Sequence, residues 1–137
     1  MNMITNDVRK IVRSVRYAVH GLSHAYRADK SFRMEINYGL PVYLLLGWYL
    51  YPLQAGELLF FILSYLLMLI IELVNTAFEK MLDRLHPEEH ELIKRSKDIA
   101  AAAVLVSFVF AAIVVGVLLC ARQSVSPIDI APSGSFV

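Results

Sequence analysis

The sequence predicts an all-α membrane protein, with three spanning helices preceded by an amphipathic helix on the membrane surface. Three observations predict it. Hydrophobic residues make up 58% of the 137 and charged residues 18%, against about 45–50% and about 25% in an ordinary soluble domain. Three long stretches are free or nearly free of charge. Of the 13 lysines and arginines, all but Arg122 lie before the first stretch or between the second and third, which is one side of the membrane.

The N-terminal segment is too polar to span. Val8, Ile11, Val12, Val15, Val19 and Leu22 share one helical face, and Arg9, Arg13, Arg16 and His20 share the opposite one. A basic amphipathic helix lying on the cytoplasmic leaflet is the expected structure. No apolar run in the first 35 residues suits a signal-peptide core, so no cleaved signal is expected.

The first apolar stretch, Ile36–Gly56, holds no charge over 21 residues. It meets the roughly 20 residues that cross about 30 Å of hydrocarbon. Pro52 and Gly56 mark a short turn over 51–57, which implies an antiparallel hairpin. The second stretch, Leu58–Ile71, is 14 residues long and spans only if Glu72 and Asn75 lie within the membrane. A polar connection is expected over 83–96. The third stretch, Ile99–Ala121, is charge-free over 23 residues. Ala100–Ala103, Ala112 and Gly116 supply small residues for close helix packing. A Ser/Pro/Gly-rich tail, 123–137, is expected to be disordered. The distribution of basic residues puts the N-terminus and second loop in the cytoplasm and the C-terminus outside.

Composition also excludes. A net charge of +1 gives no global basic field for nucleic acid. The single cysteine, Cys120, excludes an intramolecular disulfide and a cysteine metal cluster. No phosphate-binding glycine loop and no soluble-kinase signature is present.

The chemistry lies on the second helix. Glu72, Asn75, Thr76, Glu79 and Asp83 share one face about 100° wide. Glu72 sits eight residues before Lys80, roughly 12 Å deeper along the axis. An acidic side chain at mid-membrane costs about 2.5–3.5 kcal/mol, so a stripe of three asks for a function. A deep carboxylate suits proton acceptance, and a shallower one suits a hard dication that also binds phosphate. Phosphoryl transfer to a lipid hydroxyl fits that division, with Lys97 the best phosphate contact. Two other classes remain at this point: a small proton-relay transporter, and a scaffold subunit whose stripe only associates helices. So thin a bundle also needs walls from elsewhere, which implies a homo-oligomer.

The run Glu72-Leu-Val-Asn75-Thr76-Ala-Phe-Glu79-Lys-Met-Leu-Asp83, followed by His90-Glu91-Leu92 and Lys97-Asp98, closely resembles the prokaryotic integral-membrane diacylglycerol kinase family, which includes the undecaprenol kinases. Gly21-Leu22, Ala25-Tyr26 and Phe32-Arg33-Met34-Glu35 extend the likeness, so that it covers roughly residues 9–120. The resemblance implies a homotrimer in the bacterial inner membrane. It implies transfer from MgATP to diacylglycerol at the cytoplasmic face, yielding phosphatidate for lipid recycling and phospholipid metabolism; undecaprenol is the alternative acceptor. Sites would be shared between subunits. The division into residues 1–34, a transmembrane catalytic domain over 35–122, and the tail 123–137 follows.

Carried over by residue, the resemblance implies Glu72 as catalytic base with Asn75 supporting it. Glu79 and Asp29 would hold Mg²⁺. Lys10, Tyr17, Asp29, Glu79, Glu88, His90, Lys97 and Asp98 would bind ATP. Lys10, Arg33, Glu35, Trp48 and Glu72 would meet the lipid, and Asp83 would order the polar network. Asp29 stands where the family carries glutamate, and Lys10 where it carries arginine.

Overall fold

The computed structural model describes residues 2–88 and 90–124. Every element among them is helical: α1 (Asn2–Ala28), α2 (Lys30–Met34), a π-helical turn (Glu35–Gly39), α3 (Leu40–Leu50), α4 (Ala55–Leu85) and α5 (Glu91–Ser124).

Asp29 separates α1 from α2. Its backbone is extended, at φ −107° and ψ 127°, and its side chain caps α2 by accepting from the Phe32 N–H. A short acidic side chain at the N-cap satisfies a donor that the helix leaves orphaned. Helix α2 then runs without a break through the π-turn into α3. The turn ends where Leu40 donates to the Glu35 carbonyl, five residues back. Pro41 follows at once and has no N–H to offer Asn37, so the regular ladder fails at this point by chemistry.

Tyr51 adopts the extended conformation that a following proline favours and ends α3. The turn is shorter than the sequence implied. Gly56 and Glu57 lie inside α4, because Gln54 and Glu57 form a reciprocal cap in which the Gln54 N–H donates to Glu57 Oε2 at 2.8 Å. The second connection is also shorter than 83–96. Helix α4 continues to Leu85 and α5 starts at Glu91. Residues 123 and 124, expected in the tail, end α5; the rest of the tail lies outside the described residues.

Helices α4 and α5, with 31 and 34 residues, are long and apolar enough to cross a membrane, and little of either is buried inside the chain. The first apolar stretch is divided between the π-turn and the 11-residue α3. Helices α4 and α5 form the main packing, and α3 meets α4 through Tyr43 and α5 near its end. There Leu50, Phe61 and Leu118 form the core, flanked by Tyr43, Leu46, Val114 and Leu119. The small residues expected to pack closely do not do so within one chain: a Cβ on Gly116 would meet nothing within 4 Å.

Candidate functional site

The site is at the opposite end, where α2 crosses α4. Phe32, 3% exposed, anchors α2 there. Glu72 is buried on α4 at 3% exposure. It is flanked by Asp29 and Glu79, near enough for their charges to act on it, and Ser31 turns its hydroxyl toward it. Glu35 is 7% exposed, and neither of its carboxylate oxygens has a hydrogen-bond partner among the described residues. It stands one residue before the first charge-free stretch. Burial, with Glu72 and then Asp29 adding like charge, pushes its pKa up to about 7.

One turn beyond Glu72, Asn75 Nδ2 donates to Glu79 Oε1 at 3.2 Å. Asn75 Oδ1 and the hydroxyl of Thr76, both buried, lack partners among the described residues. Buried polar groups without partners are costly and rare in finished protein cores, so these atoms are where polar groups from outside the chain would bind most favourably. Further along, Lys97 on α5 pairs with Asp83 on α4. That pair borders a groove of about 690 Å³ that Glu88, His90 and Lys94 also line. His90 accepts the Leu92 N–H at 3.2 Å and so caps the start of α5.

The structure therefore gathers Asp29, Glu35, Glu72, Asn75 and Glu79 into one cluster, and Asp83, Glu88, His90 and Lys97 around a neighbouring groove. Arg33 packs back on the chain, donating to the carbonyls of Tyr26 and Arg27. Lys10, Tyr17 and Asp98 are exposed. Trp48 is 81% exposed, thirteen residues from Glu35 and about 20 Å along the helix. Sequence reasoning did not single out Ser31 or the burial of Tyr65 beside the π-turn. No periodicity marks Ser31, and Tyr65 lies within an apolar run.

Asp29 and Glu79 are the carboxylates suited to a dication. Asp29 uses Oδ1 for its cap and Glu79 uses Oε1 for Asn75, which leaves each a second oxygen. Among the described residues no three His, Cys, Asp or Glu side chains form a ready metal cage. Two carboxylates nevertheless suffice for Mg²⁺, which completes its shell with water and phosphate.

The arrangement is that of a helical membrane protein with a carboxylate cluster where its long helices become polar. Comparison with known sequences makes this specific. The family model described as prokaryotic diacylglycerol kinase matches residues 16–119. A diacylglycerol kinase of Haemophilus influenzae is 31% identical over 118 residues, 84% of this chain and 96% of that protein. One from Escherichia coli K12 is 32% identical over 115 residues, covering 84% and 93%. One from Pseudomonas aeruginosa is 34% identical over 100 residues, covering 73% and 80%. The chain belongs to the prokaryotic diacylglycerol kinase family.

Proposed function

We propose that this protein phosphorylates diacylglycerol with ATP, giving phosphatidate at the cytoplasmic face of the bacterial inner membrane, in lipid recycling and phospholipid metabolism. The observation that carries the reading is the buried Glu72 carboxylate with Asp29, Glu35 and Glu79 around it. A carboxylate held among like charges in an apolar wall is a proton acceptor in waiting. Glu72 takes the proton of the lipid hydroxyl as oxygen attacks the γ-phosphorus, and ADP leaves. Asn75 holds Glu79 through its amide, and Glu79 and Asp29 would hold Mg²⁺. Bound there with ATP, the cation would neutralise charge on the phosphates.

The groove bordered by Asp83 and Lys97 receives the nucleotide, with Glu88 and His90 on its wall, and the exposed Asp98, Tyr17 and Lys10 would complete its binding. Asp83 holds the Lys97 ammonium in place. Glu35 and Arg33 meet the lipid head, and Trp48 lies along the path of its chains. Three copies, each with three spans, assemble so that one protomer's cluster faces a neighbour's nucleotide groove. The outward apolar faces of α4 and α5 and the partnerless oxygens support that assembly. The concentration of Lys and Arg supports a cytoplasmic N-terminus and second loop and an outer C-terminus.

Purified protein in mixed micelles with labelled ATP and either diacylglycerol or undecaprenol tests the reading. Labelled phosphatidate is expected. Label on the polyprenol alone overturns the choice of substrate, and no labelled lipid at all overturns the reaction.

A further inference from the structure

The π-turn that delivers Glu35 is held by a side chain from another helix. The Glu35 carbonyl accepts the Leu40 N–H across the turn. It also accepts the Tyr65 hydroxyl of α4 at 2.9 Å. Tyr65 is 8% exposed. Its ring packs against Gly39, where a Cβ would stand 3.4 Å from the ring, and against Tyr43, with centroids 4.7 Å apart. The hydroxyl of Tyr43 points elsewhere, to Ser64 Oγ at 3.3 Å.

A π-turn inserts one residue into a helical turn, and such insertions are rare and concentrate at functional sites. Reversion to a regular helix would change the phase of everything before it by about 100° relative to α3. Helix α2 cannot follow freely, because Phe32 is buried against the bundle and Asp29 is fixed as its cap. The displacement would fall on Glu35, the first residue of the turn. We propose that Tyr65 is a positioning residue: its hydroxyl locks the π-turn and thereby aims the Glu35 carboxylate at the lipid head beside Glu72. This rests on the kinase reading above and extends it to a residue that touches no substrate.

The test is Y65F in the full chain, with Y43F as the packing control. Y65F raises the KM for diacylglycerol about tenfold, the effect of one lost hydrogen bond, and leaves the KM for MgATP within about twofold. Y43F leaves both near wild type. The carbonyl itself is observable. Glu35-Ile36 is the only Glu-Ile pair in the sequence, so ¹³C-carbonyl glutamate with ¹⁵N-isoleucine gives one cross-peak. Its carbonyl shift moves upfield in Y65F and stays in Y43F and E72Q.

A wild-type lipid KM in an active Y65F enzyme overturns the proposal. So do equal effects from Y43F, or an unmoved cross-peak. If Y65F fails to assemble, the wild-type signal decides: a carbonyl shift in the range of singly bonded helical glutamates overturns it. Failure of the kinase reading looks different, since wild-type protein would then make no phosphatidate whatever stands at residue 65.

Discussion

Where α3 and α5 finish together, Arg122 donates to the carbonyls of Leu50 and Tyr51 at 3.0 and 3.1 Å and lies over the Tyr49 ring. At the other end Glu35 keeps both carboxylate oxygens without partners among the described residues. The first end satisfies its polar groups and packs Leu50, Phe61 and Leu118 beneath them. The second buries like charges together and leaves acceptors open. The first arrangement favours stability; the second costs stability, and on the proposed function ligands would complete it. Mutations at the two ends should therefore separate activity from folding.

The largest effect is expected from E72Q, which keeps size and removes the proposed proton acceptor: turnover falls about 10³–10⁴-fold. E79Q comes next, with a loss of about 100-fold that raised Mg²⁺ partly restores. An unchanged Mg²⁺ dependence there would argue against ligation. L118A acts at the stable end, removing about 2–4 kcal/mol of stability in a detergent unfolding series while folded enzyme keeps its KM values. R122Q is the smallest, about 1–2 kcal/mol from the lost charged hydrogen bonds, again with near-normal turnover. Large losses of turnover from folded L118A or R122Q would erase the division between the ends.

The sequence carried one half of the site well. The stripe on α4 follows from helical spacing, and the structure buries Glu72 and joins Asn75 to Glu79 as that spacing requires. The other half depends on phase. Whether Glu35 meets Glu72 turns on a π-turn, and a one-residue insertion is invisible to a pattern that assumes a constant 3.6 residues per turn. Pro41 was the available signal. The turns are shorter than expected for a related reason: Gly56 reads as a breaker, while Gln54 and Glu57, spaced to cap a helix, start α4 before it. The pairing of Lys97 with Asp83 needs the packing of α4 on α5, which no local pattern contains.

On the proposed function, the buried acid on α4 serves phosphoryl transfer and not the holding together of helices. The most direct measurement scores phosphatidate formation and the detergent unfolding midpoint on one preparation of E72Q. Turnover lost with the midpoint kept or raised is the predicted result. Wild-type turnover, or activity and midpoint falling together, would contradict it.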